Sequence, residues 1–217
     1  MFAARYQRPT PYLWSAEDIS RLLDATGALR PALKAASYEA LFGLLAVTGM
    51  RLGEAISLEP GDVDLDREVI TIRTQTAKLE RARLVPLHPT TAQALTRYAS
   101  TRARLCPKPR SNAFLLSSVG TRLDRSAVAK TLRTLTTGLG LRTSTVHPTA
   151  HQLRHSFAVR TLIDWQRSGA LIDERIAVLS TYLGHVSPAE TYWYLTATPE
   201  LMGLAADRLD VRFGGRS

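Results

Sequence analysis

The spacing of apolar residues predicts two helices within the first fifty positions. Ser15 precedes two acidic residues, as an N-cap does. The apolar positions that follow have the i, i+3, i+4 spacing of an amphipathic helix that ends near Gly27. Pro31 opens a second helix that continues to Gly49 and is apolar over most of its length. This composition indicates that the second helix is buried.

After residue 61 the pattern changes. Residues 62–66 are rich in turn formers, residues 69–72 are mostly β-branched, and residues 84–87 form a second apolar run. Short runs of this kind are typical of strands. The polar residues 77–83 are predicted to form the turn between the two runs, so that the runs pair as a β-hairpin.

The rest of the chain is predicted to be mostly helical. Turn-forming residues occupy 106–112 and 138–148, and Ser126 is predicted to cap one of the helices. The predicted helices cover residues 89–104, 126–137, 149–165, 173–183, 188–195 and 199–209. The predicted fold class is therefore α+β, mainly α-helical with one small antiparallel β-sheet.

Composition and charge narrow the function. The 217 residues are 45% hydrophobic and 22% charged, which is an ordinary globular composition. The formal net charge is +9, so the chain is attracted to polyanions such as nucleic acid or an anionic membrane surface. The longest apolar run, residues 40–47, is too short to span a bilayer, which predicts a soluble, cytoplasmic protein with no membrane partner. The single cysteine, Cys106, excludes an internal disulfide and a cysteine-based zinc site.

Two clusters of residues have the chemistry to bind a phosphate. Arg51 follows the apolar second helix, and Glu54 lies three residues further on, where a carboxylate can hold a guanidinium. Taken alone, this pair is better explained as an ion pair on a helix surface. His151 and Arg154 share a helix face, and a guanidinium fork matches two phosphate oxygens while a histidine can donate to the same phosphate or move a proton. His155 is assigned to packing or support of these neighbours.

Further candidates follow a predicted helix end. A glycine–histidine pair at 184–185 precedes an aromatic run that contains Tyr192 and Tyr194. Such runs usually belong to a core, but one of these tyrosines can serve as a nucleophile. Lys78 lies in the predicted hairpin turn, where it is either a solvated lysine or, with a lowered pKa, a proton donor.

In the order of these candidate residues along its sequence, the chain resembles the tyrosine recombinase (phage integrase) family. The resemblance runs from about residue 13 to 195. Its most specific stretches are residues 48–54, 151–158 and 183–195. The family places its tyrosine nine residues after the histidine of the glycine–histidine pair, which favours Tyr194 over Tyr192 as the nucleophile.

The resemblance implies a site-specific DNA recombinase or integrase that acts in integration, excision, resolution or transposition. Such an enzyme breaks and rejoins double-stranded DNA through a 3′-phosphotyrosine, here on Tyr194. The other catalytic residues implied are Arg51, Lys78, His151, Arg154 and His185, with Glu54 and His155 in support. No cofactor or metal is implied, because the cationic side chains replace the metal and the phosphotyrosine conserves the energy of the broken bond.

The resemblance also implies a domain organisation. Residues 1–12 form a basic arm, residues 13–198 the catalytic domain, and residues 199–217 a C-terminal helix and tail. The core-binding domain that usually precedes the catalytic domain is absent, so the chain is expected to be a fragment or a short form. The tail either packs on its own domain or is exchanged between protomers of a homo-tetramer on synapsed DNA sites, where accessory DNA-bending proteins and association with the nucleoid are also expected.

Two other functions stay open. A type IB topoisomerase uses similar chemistry but relaxes supercoils without joining two DNAs, and the small size and the residue spacing favour recombination over it. A non-catalytic, basic DNA-binding factor would form no covalent product. The complete set of candidate catalytic residues favours an enzyme over such a factor.

Overall fold

A computed structural model describes residues 11–76, 79–170, 172–184 and 191–192, with the backbone alone described at 74–76, 79–81 and 172–174. This part of the chain forms seven α-helices and three strands. In chain order the elements are α1 (Ala16–Thr26), α2 (Ala32–Thr48), α3 (Leu52–Ser57), β1 (Val63–Asp64), β2 (Val69–Thr76), β3 (Leu79–Pro86), α4 (Pro89–Leu105), α5 (Arg125–Gly138), α6 (Ala150–Arg167) and α7 (Ile172–Leu183). The predicted fold class is confirmed.

The two N-terminal helices begin and end where the sequence predicts. The Ser15 hydroxyl accepts from the backbone N–H of Asp18 at 2.9 Å, and the Asp18 carboxylate accepts from the N–H of Ser15, which completes a capping box. α2 ends at Gly49, whose φ of 61° is the left-handed conformation that favours glycine at a helix C-terminus. Between these ends α2 is buried, and it packs against α1, α3, α4 and α6.

The sheet is antiparallel in the order β1-β2-β3. The pairing of Ile70 with Val85 confirms the predicted hairpin. Two predictions about it are wrong. Residues 63–64, predicted within a turn, form β1, and residues 79–83, predicted as part of the turn, belong to β3. The ladder continues to the Thr76–Leu79 pair because backbone hydrogen bonding does not need apolar side chains, so the polar distal strands gave no apolar signal.

Most helices of the second half are confirmed within two or three residues, as α4, α5, α6 and α7. Ser126 was predicted to cap α5, but the N-cap is Asp124, whose carboxylate accepts from the backbone N–H groups of Ser126 and Ala127. A carboxylate caps a helix at least as well as a hydroxyl does, and here it lies two residues earlier. The six-residue α3 was not predicted, since it is too short to show an apolar period.

Two predicted helices, at 188–195 and 199–209, lie outside the described residues except for positions 191 and 192, which are helical. None of the helices in the described part of the chain combines the length and the apolarity that crossing a membrane requires.

The entry segment, residues 11–15, precedes α1, contains two aromatic residues and is anchored to α6. Trp14 is buried, and its ring meets the edge of Tyr12 at a centroid distance of 5.4 Å. The backbone N–H of Trp14 donates to the hydroxyl of Ser156 in α6 at 2.8 Å. The C-terminal end of α2 and the N-terminal half of α6 thus lie in one packed body with the entry segment and α3.

Candidate phosphate-binding site

Arg51 lies at the start of α3, directly after the left-handed turn that ends α2. Its backbone N–H donates to Oε2 of Glu54 at 2.7 Å, and its Nη1 donates to Oε1 of the same carboxylate at 3.1 Å. The predicted contact between the two residues is therefore present. The Arg51 side chain keeps 41% of its surface exposed, so the guanidinium can meet a ligand from solution.

A second arginine, Arg83 of β3, holds the same carboxylate. Its Nη1 donates to Oε1 of Glu54 at 3.0 Å and its Nη2 donates to Oε2 at 2.7 Å. Sequence reasoning missed this residue. Its direction follows from the hairpin register, which could not be predicted while residues 77–83 were assigned to a turn. Arg83 pairs with buried Ile72 and lies two residues before buried Val85, so its side chain points inward.

Burial alone would raise the pKa of Glu54, but the hydrogen bonds and charges of Arg83 and Arg51 lower it below the ordinary value of 4.5. Glu54 is therefore ionised at neutral pH. One negative charge between two arginines leaves this cluster with a net charge of about +1, which favours an anionic ligand.

Arg154, in the first two turns of α6, is held in a different way. Only 2% of the residue is exposed. Its Nη1 donates to the carbonyl of Gly49 at 2.8 Å, and its Nη2 donates to the carbonyl of Leu183 at 2.9 Å. These carbonyls lie at the C-terminal ends of α2 and α7, where unpaired oxygens and the helix dipole favour a cation.

Gly184 contacts both arginines of the first cluster and directly follows Leu183, whose carbonyl binds Arg154. It follows α7 with a φ of 68°, and its carbonyl accepts from Nη2 of Arg51 at 2.8 Å. A Cβ at this position would lie 2.7 Å from Nη1 of Arg83 and 3.4 Å from Nη1 of Arg51. The absence of a side chain therefore lets the end of α7 approach both guanidinium groups.

The two candidate histidines of α6 differ in exposure. His151 lies at the surface, and its pKa is lowered by partial desolvation and by the charges of Arg154 and Arg51. It is thus largely neutral at pH 7 and able to accept a proton. His155 is buried, and its burial, with a smaller effect of His151, lowers its pKa to about 4. A buried neutral imidazole fits the packing or supporting role expected for it.

The structure brings Arg51, Glu54, His151 and Arg154 together at the junction of α2, α3, α6 and α7. Lys78, His185 and Tyr194 lie outside the described residues. Tyr192 is described and has 45% of its surface exposed. Within the described ranges, no group of three or more histidine, cysteine or acidic residues is placed to hold a metal ion.

A neutral histidine beside two arginines, one of them exposed, is suited to bind a phosphodiester and to assist proton transfer at it. The fold and this site define a class of protein, the enzymes that transfer DNA strands. Comparison with known proteins gives the family. The model of the phage integrase family matches residues 14–200, and the chain belongs to this family, that of the tyrosine recombinases.

The names of individual relatives agree with this family assignment. A Sinorhizobium fredii protein named as an integrase/recombinase, y4rB, is 42% identical over 98% of this chain, and a second from that bacterium, y4rE, is 37% identical over 92%. The tyrosine recombinase XerD of Brucella melitensis is 30% identical over 89%. This chain spans 70%, 64% and 61% of these three relatives.

Solved structures show the same fold. The XerA recombinase superposes with a TM-score of 0.73 at 24% identity, covering 100% of this chain and 68% of that one. The Tn1549 transposon integrase bound to transposon right-end DNA gives 0.69 at 17% identity, covering 97% and 68%. The fold is thus that of a tyrosine recombinase catalytic domain.

Proposed function

We propose that this chain carries the catalytic domain of a site-specific DNA recombinase or integrase that acts through a 3′-phosphotyrosine on Tyr194. The observation that supports the proposal most is the meeting of Arg51, Arg154 and His151 at one junction, with Glu54 ionised beside them. Residues distant in sequence converge there on a positively charged, partly exposed site.

In the proposed mechanism the two arginines stabilise the charge that develops on the scissile phosphate. Arg51 binds one non-bridging oxygen through its partly exposed guanidinium, and Arg154 binds the second. His151, neutral at pH 7, accepts the proton of the attacking tyrosine. Lys78 protonates the departing 5′-oxygen, and His185 donates to the phosphate. A 5′-hydroxyl then attacks the phosphotyrosine and rejoins the strand.

The proposed partner is double-stranded DNA, for which the net charge of +9 provides long-range attraction. Assembly as a homo-tetramer on synapsed sites, exchange of residues 199–217 between protomers and the domain boundaries predicted from sequence are parts of the same proposal. The relatives described above are named as recombinases or integrases, which favours recombination over a topoisomerase activity.

The test is covalent capture on a duplex library. Duplexes with a randomised core carry a nick at a fixed position, so that cleavage just upstream releases a short oligonucleotide and traps the protein on the DNA. SDS-stable adducts are recovered and sequenced, which also identifies the preferred site. We expect adducts with the wild type, none with Tyr194→Phe, and adducts with the matched variant Tyr192→Phe. The absence of any wild-type adduct would contradict the proposed function.

A second assay separates the two enzymatic classes. The selected duplex is placed twice on one supercoiled plasmid. Excision or inversion of the segment between the two copies supports a recombinase. Relaxation of a plasmid with a single copy, without recombination, supports a topoisomerase. An adduct that persists in Tyr194→Phe but disappears in Tyr192→Phe would move the nucleophile to Tyr192.

A further inference from the structure

The bonds of Arg83 to Glu54 limit how the Arg51 guanidinium can bind the same carboxylate. The Glu54 carboxylate accepts four hydrogen bonds, two on each oxygen. Arg83 supplies one to each oxygen, the bidentate geometry that a guanidinium and a carboxylate prefer. The side chain of Arg51 makes one hydrogen bond to Glu54, from Nη1 to Oε1. Its Nη2 donates to the Gly184 carbonyl instead.

The two arginines also differ in exposure. The Arg83 side chain is 16% exposed and that of Arg51 is 41% exposed. Without Arg83, both Glu54 oxygens would offer a bidentate site to the one remaining guanidinium. Arg51 would then turn its fork onto Glu54, because a partly buried carboxylate is costly to leave without a full set of donors.

Arg83 reaches the end of α7 as well. Its guanidinium lies close enough to Gly184 that a Cβ there would clash with it, and its charge acts on the half-buried Tyr182 in α7. One arginine of the hairpin therefore contacts α3 through Glu54 and the end of α7 through Gly184. These are the two elements that hold Arg51.

We propose that Arg83 is a positioning residue that keeps the Arg51 fork available for the scissile phosphate by occupying both oxygens of Glu54. The inference deepens the proposed function and rests on it for its consequence in cleavage. Its structural content concerns the orientation of Arg51 and applies without DNA.

The first test therefore uses the full chain without DNA. Side-chain ¹⁵N–¹H spectra resolve arginine guanidinium groups whose rotation is restricted, and Arg51→Lys identifies the signals of Arg51. In Arg83→Gln we expect the Arg51 signals to shift and broaden. In Arg122→Gln, which removes an arginine bound to the Ile56 carbonyl of α3 and to Glu59, we expect them to stay unchanged. Unaltered Arg51 signals in Arg83→Gln would overturn the proposal, whether or not the protein cleaves DNA.

The second test measures cleavage of the duplex selected by the wild type. We expect Arg83→Gln to lower the cleavage rate at saturating DNA about 100-fold, the cost of misplacing a catalytic group by about 1 Å, with DNA affinity little changed. Arg83→Lys keeps the charge but not the fork, so it should restore only part of the rate. Arg122→Gln should cleave normally.

The outcomes separate the two proposals. Full recovery with Arg83→Lys would show that charge alone matters and would overturn the positioning role, as would a normal rate in Arg83→Gln. If the wild type forms no adduct with any duplex, the proposed function fails, and the Arg51 spectra alone decide whether Arg83 positions Arg51.

Discussion

The two arginines of the site are held by different kinds of partner. Arg51 is exposed and bound to a carboxylate that it shares with Arg83, whereas Arg154 is buried and bound to main-chain carbonyls at two helix ends. The first cluster depends on an ionised side chain, and its geometry can change with protonation. The second depends on the fold itself. The comparison indicates one arginine whose position can adapt and one whose position is fixed.

The largest effect is expected from Arg154→Ala. Cleavage should fall about 10²–10³-fold through lost transition-state stabilisation. The free energy of unfolding should also fall by about 2–3 kcal/mol, because the buried carbonyls of Gly49 and Leu183 lose a partner.

The matched variant is Arg51→Ala. It should cleave as poorly but lose less than about 1 kcal/mol of stability, since the group is exposed and Glu54 keeps Arg83. Urea unfolding and adduct formation check both variants. Equal losses of stability in the two would contradict the distinction between the clusters.

The second expected effect is on how the free energy of unfolding depends on pH. The pKa of His155 in α6 is about 4 when folded, against 6.5 ordinarily, so the unfolded chain binds this proton more readily. The resulting stability, about 3 kcal/mol in full, is complete above pH 6.5 and is lost as pH falls towards 4. The lowered pKa of Glu54 gives a contribution that is present above pH 4.5 and is lost at lower pH.

Urea unfolding from pH 7 to pH 3 separates the two windows. His155→Asn should flatten the dependence between pH 6.5 and 4, and Glu54→Gln should flatten it only below about 4.5. The pKa of His151 is also lowered below 6.5, so this residue adds a smaller slope in the same range. A slope between pH 6.5 and 4 that is as steep in His155→Asn as in the wild type would assign this titration to another group.

The glycines at the two helix ends give the third comparison. Gly49→Ala should cost about 2–3 kcal/mol, because its φ is positive and the new Cβ would overlap the ring of Phe157. Gly184→Ala should cost about 1–2 kcal/mol, since the Cβ would meet the end of the Arg83 side chain, which can move. The second variant should nevertheless lose more cleavage relative to its loss of stability. Thermal melting and adduct formation measure both, and the reverse ranking in stability would refute the packing argument.

The smallest effect is expected at the anchor between the entry segment and α6. Ser156→Ala removes the acceptor of the Trp14 N–H and should cost about 1 kcal/mol. Cleavage per folded molecule should change little, because the Arg154 cluster does not use this bond. A loss of cleavage as large as that of Arg154→Ala would show that the anchor orients α6 itself.

Local patterns predicted much of this molecule. The apolar period located α1, and apolar composition, helix caps and turn-forming segments located α2, α4, α5, α6 and α7. The spacing of three residues predicted the contact between Arg51 and Glu54. These signals act over one or two helical turns, so neighbouring residues contain them. The N-cap of α5 was misplaced because Asp124 and Ser126 are both good capping residues, and only backbone geometry distinguishes them.

The contacts that complete the site could not be predicted from such local patterns. The partner of Arg83 lies 29 residues away, and the contact depends on the register of a hairpin whose distal half has no apolar pattern. The carbonyl partners of Arg154 are backbone atoms at the ends of α2 and α7, separated from it by 105 and 29 residues. Carbonyl groups are the same in every residue, so no side-chain pattern marks them.

That Arg154 binds backbone oxygens has a consequence for how the site tolerates mutation over generations. A nucleotide change that replaces Glu54 deletes the acceptor of two arginines at once. No codon change at positions 49 or 183 can delete the oxygen that Arg154 uses, because every amino acid carries it. Substitutions there act through backbone conformation and packing instead, because Gly49 has a positive φ and faces the ring of Phe157, and Leu183 is buried. These two bonds of Arg154 therefore depend on no single side-chain acceptor, whereas the bonds of Arg51 and Arg83 to Glu54 depend on one.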